Sequence, residues 1–361
     1  MKAPADGFTS SFPETRFDAL LVVSFGGPEG MDDVMPFLEN VTRGRNVPRE
    51  RLEEVAHHYA RFGGVSPINA QNRALIDALR PELEEHGIEL PIYFGNRNWH
   101  PFLADTLREM ADDGVERALA FFTSAYSSYS GCRQYREDLF KAQQEVGPAA
   151  PEVLRTRSFF NHPGWIEANA DHVGRAVAEL GSPSPHLAFT AHSIPAAMAR
   201  ACRYVDQLRE SSRLVAESVG CDDWAVVFQS RSGPPSVPWL EPDIVDHLAA
   251  VRARGVEDVV ISPIGFVSDH LEVLYDLDVE AREAAAELGL RLVRASSAST
   301  HPAFVRMIRE LVEERLGRSS ERPAVGRYAA GHDTCPVDCC LPGNGRPSPW
   351  AAFGAAVAAD A

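Results

Sequence analysis

Residues 257–280 read EDVVISPIGFVSDHLEVLYDLDVE, and the rest of the chain is organised around this stretch. Its first part is an apolar run that ends at Pro263 and Gly265, as a buried strand does where a turn follows it. Its second part is acidic, with leucine and valine at helical spacing. We interpret the stretch as a buried strand that delivers a helix to a cleft.

Acidic residues recur every fourth position in the helical part. Glu272, Asp276 and Glu280 fall on one side of a helix, and Asp269 lies about one turn earlier, so four carboxylates are predicted to share that side. Such a row is either a solvated acidic surface or a path for a cation or for protons. The leucines and valines between the acids leave little purely exposed surface, and His270 stands beside them. These neighbours favour the metal or proton path.

Short apolar segments alternate with amphipathic segments along the whole chain. Strands are predicted at 20–25, 90–95, 117–122, 187–191, 224–229 and 259–261, and helices at 32–40, 49–61, 69–84, 102–113 and 243–253. This alternation is typical of parallel sheets with helices on both faces. The sequence therefore predicts an α/β fold of two Rossmann-like domains, each a parallel sheet flanked by helices, with an interdomain cleft at the carboxyl ends of the strands.

The second half repeats the order of strand, loop and helix found in the first. We expect a flexible lead-in at 1–16, an N-terminal domain at 17–150 and a C-terminal domain at 151–300. The segment 301–343 is predicted to form a C-terminal helix and a cysteine loop that returns toward the N-terminal domain. Residues 344–361, rich in alanine, glycine and proline, are predicted to be a flexible tail.

Composition excludes several classes of protein. A formal net charge of −16 over 361 residues argues against nucleic-acid binding, which needs a basic face. No apolar run approaches the ~20 residues of a membrane span, and the first residues have no apolar core of a signal peptide, so a cytoplasmic protein is expected. Nucleotide-binding glycine motifs do not occur. Six cysteines in such a chain are expected to be thiols or metal ligands.

Three sets of side chains are candidates for binding or catalysis. His192 follows an apolar strand, where a histidine can ligate a metal or accept a proton, although a lone histidine there can also be structural. The nearby carboxylate row favours a function. Arg43 and Arg45 flank Gly44 and suit an anionic substrate, with solvated surface equally well supported. The tyrosines at 126–135 are a plausible lining for a flat aromatic ligand.

Three cysteines lie close together near the carboxyl end. Cys335, Cys339 and Cys340 stand in a loop bounded by proline and glycine, a setting that suits iron–sulfur or zinc ligation, with a redox-active or merely reduced cluster as the alternative. A fourth ligand must come from elsewhere, and Cys132 is the candidate because Cys202 and Cys221 fall in helix-like sequence. Adjacent cysteines reach one cluster only with strained geometry.

Six segments, taken together and in order, resemble the ferrochelatase family, specifically the coproporphyrin ferrochelatases of actinobacteria. They are LLVVSFGGP at 20–28, GGVSP at 63–67, TAHSIP at 190–195, QSRSG at 229–233, PWLEP at 238–242 and PIGFVSDHLEVLYDLD at 263–278. The similarity runs from about Phe17 to Leu316. It implies a chelatase-type fold and insertion of ferrous iron into a porphyrin.

The resemblance also implies roles for particular residues. His192 matches the catalytic histidine and Glu272 its partner carboxylate, both also at the iron, while Asp276 and Glu280 continue the acidic ladder on a helix with a π-turn. Ser66 and Tyr135 match porphyrin-contacting positions, and Arg43 and Arg45 lie in the loop that meets propionates. Phe25 stands at the porphyrin where Firmicute relatives carry a tyrosine that can ligate haem iron. Cys132, Cys335, Cys339 and Cys340 resemble the ligands of a [2Fe–2S] cluster, with a spacing unlike that of animal ferrochelatases.

The predicted function is insertion of Fe²⁺, a substrate, into coproporphyrin III to form coproheme in haem biosynthesis. Transient contact with other enzymes of the pathway is expected, and nucleic acid is not. The alternatives are a protoporphyrin IX ferrochelatase, a haem-binding or iron–sulfur redox sensor without turnover, and a cobalt chelatase acting on a sirohydrochlorin-type ring. The acidic ladder disfavours the sensor, because a haem carrier needs no path for protons or ferrous iron.

Overall fold

Two four-stranded parallel sheets, one in each half of the chain, form the framework. The computed structural model describes residues 16–44, 47–234, 236–336 and 338–343. The first sheet contains β1 (Ala19–Ser24), β2 (Ile92–Asn96), β3 (Arg117–Phe122) and β4 (Glu152–Arg155), in the order β2-β1-β3-β4. The second contains β5 (His186–His192), β6 (Trp224–Gln229), β7 (Asp258–Ser262) and β8 (Arg291–Arg294), in the order β6-β5-β7-β8. The repeated order confirms the predicted α/β fold.

Helices cover both sheets. They are α1 (Met31–Val41), α2 (Arg49–Ala60), α3 (Ile68–Glu85), α4 (Leu103–Asp112), α5 (Gln134–Val146), α6 (Pro163–Leu180), α7 (Ala196–Arg200), α8 (Tyr204–Ser218), α9 (Ile244–Ala253), α10 (Leu271–Tyr275), α11 (Arg282–Leu288) and α12 (Pro302–Leu316). Two π-helical turns, Tyr129–Arg133 and Asp276–Ala281, precede α5 and α11. None of the helices in the described ranges is long and apolar enough to span a membrane.

The central strands are buried because helices lie on both of their faces. Every residue of β1 is buried, and its apolar run leaves no polar face for solvent. The sequence did not predict β4 and β8, which are four-residue edge strands with charged residues at both ends. β4 belongs to the first sheet and begins just after residue 150, where the sequence places the division between domains.

One apolar core joins the two halves. Phe121 of the first sheet packs with Phe159 and with Phe304 of α12, at ring-centroid distances of 5.3 and 6.2 Å. Trp165 of α6 is fully buried and lies 5.6 Å from Phe304. Helix α12 therefore follows the second sheet in sequence and packs against the first, which ties the two halves together.

Candidate active site

His192 is the last residue of β5 and pairs in register with Gln229 at the end of β6. Its Nδ1 lies 2.5 Å from the carbonyl oxygen of Ser193. A carbonyl only accepts hydrogen bonds, so Nδ1 carries a proton, and a lone pair for binding or proton transfer can come only from Nε2. Nε2 lies 3.6 Å from a carboxylate oxygen of Glu272, and the two side chains are 33% and 50% exposed. The pair is open to a ligand.

Asp276 is the most strongly perturbed acid in the ladder. Its pKa is raised to about 7, chiefly by burial, and the charges of Glu272 and Glu280 contribute to that rise. The Ser230 hydroxyl and the Gln229 amide donate to its carboxylate and oppose the rise. A carboxyl group that titrates near neutrality can both accept and release a proton under working conditions. Asp276 is therefore suited to proton transfer.

The acidic ladder (Glu272, Asp276 and Glu280) runs into and through a π-helical turn. Asp276 opens the π segment and Glu280 lies within it. A wider turn offsets the drift of about 40° that a four-residue repeat accumulates on an α-helix, so the acids keep one direction. Burial raises the pKa of Glu280, the charge of Asp243 adds to the rise, and a hydrogen bond from Tyr275 opposes it.

Asp269 does not belong to this row, contrary to the prediction that four carboxylates share one helix face. Helix α10 begins at Leu271, and Asp269 precedes it. Its carboxylate binds Arg294, the last residue of β8, at 3.3 Å, and the same guanidinium binds Asp278 at 2.8 Å. The arginine fixes Asp269 beside β8, which leaves a ladder of three acids.

Aromatic and basic side chains gather at the carboxyl edge of the first sheet. Arg97, which follows β2, lies 4.5 Å above the ring of Tyr135 and 5.7 Å above that of Phe25. A hydrogen bond of 2.7 Å to Asp138 holds its guanidinium. Phe25 is 37% exposed, whereas Tyr135 is buried, and burial raises the pKa of Tyr135. The exposed aromatic surface here is that of Phe25.

The remaining residues predicted for the porphyrin site differ in accessibility. Ser66 is buried against Gly27, and its amide donates to the Pro28 carbonyl at 2.8 Å. Arg43 is exposed in the turn after α1. Arg45 lies outside the described residues.

The acidic helix docks on the first half of the chain. Leu271 is buried in a cluster with Val34, Phe37 and Tyr59 from α1 and α2. Burial raises the pKa of Tyr59, and the charge of Glu272 adds to that rise. Phe37 in turn meets Phe25 edge to face, with centroids 6.4 Å apart. A chain of contacts through Phe37 and Tyr59 thus connects Phe25 to the start of the ladder.

Some residues of the site were missed by sequence reasoning. Arg97 has no local pattern that marks it. Gln229 and Ser230 stand in a segment quoted for the resemblance, but nothing in the sequence alone assigns them to Asp276. Ser230 has a φ of 61°, a left-handed conformation that is uncommon outside glycine and often accompanies functional sites.

The four predicted cysteines meet in one place, here called the cysteine pocket (Cys132, Cys335, Cys339 and Cys340). The sulfurs of Cys339 and Cys340 are 3.5 Å apart. Cys132 is within hydrogen-bonding range of Cys335 and Cys340, and Cys335 is within range of Cys339. The sulfurs thus form a closed ring. Cys340 has a φ of 56°, the strained left-handed backbone that lets two neighbouring cysteines face the same point.

Positive charge surrounds the cysteine pocket. Arg155 places Nη2 2.8 Å from the sulfur of Cys335, and no carboxylate in the described parts of the chain pairs with it. Arg133 donates to the Cys339 carbonyl at 2.7 Å. Hydrogen bonds from Cys335 and Cys340 hold the pKa of Cys132 well below its ordinary value, and the charge of Arg155 contributes. These groups favour a thiolate at Cys132, whereas hydrogen bonds to neighbouring sulfurs and burial raise the pKa of Cys335 and of Cys340.

Cys202 and Cys221 are not helical, which corrects the prediction for both. Cys202 lies in the turn between α7 and α8, and Cys221 follows α8. Their thiols donate to the carbonyls of Met198 and Pro185, each at 3.3 Å. The prediction was wrong because the helix-like sequence extends beyond the observed ends of α7 and α8. Neither residue belongs to the cysteine pocket.

Comparison with solved structures defines the class of fold. SirB from Bacillus subtilis, solved with Fe³⁺, aligns with a TM-score of 0.50 and 11% identity over 84% of this chain and 97% of its own. DR2241 from Deinococcus radiodurans, described as a multi-domain protein with structural similarity to chelatases, aligns with a TM-score of 0.50 and 16% identity over 84% of this chain and 56% of its own. The chain has the two-domain α/β fold of the chelatases.

Sequence comparison then gives the family. The family model described as Ferrochelatase matches residues 17–316. A relative named ferrochelatase from Rhodopirellula baltica is 60% identical over 328 residues, 90% of this chain and 93% of its own length. Coproporphyrin III ferrochelatases from Streptomyces coelicolor and Nocardia farcinica are 52% and 53% identical, covering 92% and 90% of this chain and 95% and 97% of their own lengths. The chain belongs to the ferrochelatase family, whose members are lyases.

Proposed function

We propose that this protein inserts ferrous iron into coproporphyrin III and releases coproheme and two protons. The observation that carries the proposal is the pair formed by Nε2 of His192 and the carboxylate of Glu272, 3.6 Å apart and open to a ligand. The substrate is inferred from the relatives of Streptomyces coelicolor and Nocardia farcinica, whose names specify coproporphyrin III. The relative of Rhodopirellula baltica is named without a porphyrin, so protoporphyrin IX is the second candidate substrate.

The ladder matches the proton balance of the reaction. Two pyrrole N–H bonds break as iron–nitrogen bonds form, so two protons must leave for each iron that enters. His192 and Glu272 bind the iron and accept pyrrole protons. His192 supplies a nitrogen lone pair for this, and Glu272 supplies a carboxylate. Asp276 and Glu280 then carry protons away, which suits the pKa of Asp276 near 7.

The first half of the chain grips the macrocycle in this proposal. Phe25 supplies an exposed ring, and Arg97 holds Phe25 and Tyr135 in place. Ser66 lies behind the glycine turn beside Phe25, and we assign the exposed Arg43 to the propionates, with Arg45 assigned there from the sequence resemblance alone. A macrocycle held out of plane resembles the metallation transition state more closely than a flat one, so gripping it lowers the barrier.

The cysteine pocket fits a [2Fe–2S] cluster, and we assign Cys132, Cys335, Cys339 and Cys340 as its ligands. Four sulfurs in a closed ring supply the donor number and chemistry of such a site. Arg155 is a cation beside the sulfurs and offsets the negative charge of a thiolate-bound cluster. A bound [2Fe–2S] cluster supplies a one-electron redox centre.

The activity test is anaerobic addition of Fe²⁺ with coproporphyrin III or protoporphyrin IX, followed by the change in visible absorption. We expect faster turnover with coproporphyrin III. His192→Ala and Glu272→Gln should reduce kcat by at least about 100-fold while porphyrin binding, measured by fluorescence quenching, stays within a few-fold. Arg51→Ala, an exposed change on α2, is the matched control.

Each result bears on a separate part of the proposal. Near-normal turnover by His192→Ala would refute the catalytic pair. A preference for protoporphyrin IX would refute the substrate and leave the pair intact. For the cluster, Cys132→Ser should abolish the visible absorption of the protein as isolated, and a colourless wild-type protein prepared anaerobically would refute the cluster.

A further inference from the structure

The outer edge of the cysteine pocket carries a donor that the four-cysteine assignment does not use. His332, Cys335 and Cys339 each place one ligand atom within 4.8 Å of the other two. The imidazole therefore stands beside two sulfurs of the ring, and it precedes Cys335 by three residues in the sequence.

The two sides of the cysteine pocket differ in exposure. Cys132 and Cys340 are 5% and 3% exposed and form its inner side. His332 is exposed, and Cys335 and Cys339 are partly exposed, so the outer three can meet solvent. A metal ion can reach the outer donors without opening the protein.

The outer donors have the chemistry of a zinc site. Zinc prefers tetrahedral coordination by imidazole nitrogen and thiolate sulfur, with ligand atoms about 3.3 to 3.8 Å apart around the ion. Separations up to 4.8 Å are within reach of that geometry by small rotations of three side chains on one loop. Two thiolates and a neutral imidazole also balance a divalent charge.

We propose that His332, Cys335 and Cys339 form a second, mononuclear site for a zinc-type divalent cation. Each bound thiol loses its proton to solvent, and water completes the coordination. Cys335 and Cys339 are also assigned to the cluster, so the two metal states exclude each other. The site binds zinc when the cluster is absent, and His332 belongs to the zinc state alone.

The zinc state can be tested on the full chain after its metals are removed under anaerobic, reducing conditions. Zn²⁺ is titrated against a chromophoric chelator, and Co²⁺ serves as a spectroscopic probe, since tetrahedral thiolate-bound cobalt absorbs strongly in the visible. We expect one equivalent of Zn²⁺ per chain. His332→Ala should weaken Zn²⁺ binding at least about tenfold and change the cobalt spectrum. His86→Ala removes an exposed histidine at the end of α3 and is the matched control.

Cys340→Ser separates the two metal states. It should abolish the absorption of the [2Fe–2S] cluster and retain one equivalent of Zn²⁺, whereas His332→Ala should keep the cluster. The proposal is overturned if His332→Ala binds Zn²⁺ as wild type does, if Cys340→Ser loses the Zn²⁺, or if His332→Ala loses the cluster. Because zinc binding is measured on protein without a cluster, failure of the cluster assignment leaves this test unaffected. Circular dichroism confirms that each variant is folded.

Discussion

The imidazole of His58 lies flat against the ring of Tyr275, with the ring centroids 3.8 Å apart and the planes 6° from parallel. His58 belongs to α2 in the first half of the chain, and Tyr275 is the last residue of α10, directly before the π-turn. Arg61 lies 5.8 Å above the same ring and 3.6 Å from Glu283. The stack therefore holds the start of the ladder against the half that we assign to the macrocycle.

Tyr275→Leu removes the stack and the hydrogen bond to Glu280 and should lower kcat/KM for iron insertion roughly tenfold, because a ladder held less firmly is less well placed. Tyr275→Phe keeps the stack and should have a smaller effect. Steady-state kinetics with varied Fe²⁺ measures both. His57→Gln, at the neighbouring exposed position of α2, is the control. Equal kinetics for Tyr275→Leu and wild type would show that the stack is dispensable.

Iron insertion should rise with pH through about 7. The pKa of Asp276 is about 7 because of burial, so its carboxylate becomes available as a proton acceptor only above that pH. Ser230→Ala removes a hydrogen bond that lowers this pKa and should move the inflection to higher pH. A pH profile of kcat measures the shift. If the inflection in the pH profile of Ser230→Ala stays where it is in wild type, a group other than Asp276 controls the pH dependence.

Asp276→Asn should inactivate the enzyme and stabilise it above neutral pH. The folded pKa of about 7 lies above the ordinary value of 3.8, so the folded state binds the proton more tightly than the unfolded chain. The stability contributed by the protonated form is complete below pH 3.8 and is lost as pH rises through about 7. The free energy of unfolding of Asp276→Asn, relative to that of wild type, should therefore increase between about pH 4 and 7. The total increase should be on the order of 2 kcal/mol. Urea unfolding at several pH values measures it, and a constant difference would contradict it.

Gly265→Ala should impair catalysis by displacing the strand that carries His192. A Cβ at Gly265 would lie 2.5 Å from Cβ and 2.6 Å from Cα of Ala191, and backbone atoms cannot yield easily. We expect a loss of at least about tenfold in kcat and a destabilisation of about 1–3 kcal/mol. Gly174→Ala is the control, because a Cβ there meets nothing within 4 Å, and alanine inside α6 should stabilise by about 1 kcal/mol. Wild-type kinetics for Gly265→Ala would disprove the close approach.

The buried ion pair between Arg157 and Glu314 should be a large contributor to the attachment of α12. The two side chains are 0% and 5% exposed and share two hydrogen bonds of 2.8 Å. Glu314→Ala leaves a buried guanidinium without its carboxylate and should cost about 3–5 kcal/mol in urea unfolding. Glu54→Ala breaks the exposed pair with Arg51 and should change stability by less than about 1 kcal/mol. Similar losses in the free energy of unfolding for Glu314→Ala and Glu54→Ala would contradict a large contribution from the buried pair.

The periodic parts of the fold were predictable from sequence because burial on both faces leaves an uninterrupted apolar run. The predicted bounds of β3 and β6 coincide with those observed, at Arg117–Phe122 and Trp224–Gln229. The edge strands β4 and β8 were not predicted, since an exposed edge does not require an apolar run. Asp269 was assigned to the ladder by helical spacing, which takes no account of the competing Arg294.

The sequence by itself determined the two parallel sheets, the place of His192 at a strand end, the acids at four-residue spacing and the cysteines near the carboxyl end. Tertiary structure alone decided that Nε2 of His192 faces Glu272, that Ser230 binds Asp276, and that Arg155 lies against the sulfur of Cys335. The physical reason is the range of the interactions. Periodicity reports which side of a segment is buried, whereas a pKa, an ion pair or a ligand set depends on groups that packing brings together from distant parts of the chain.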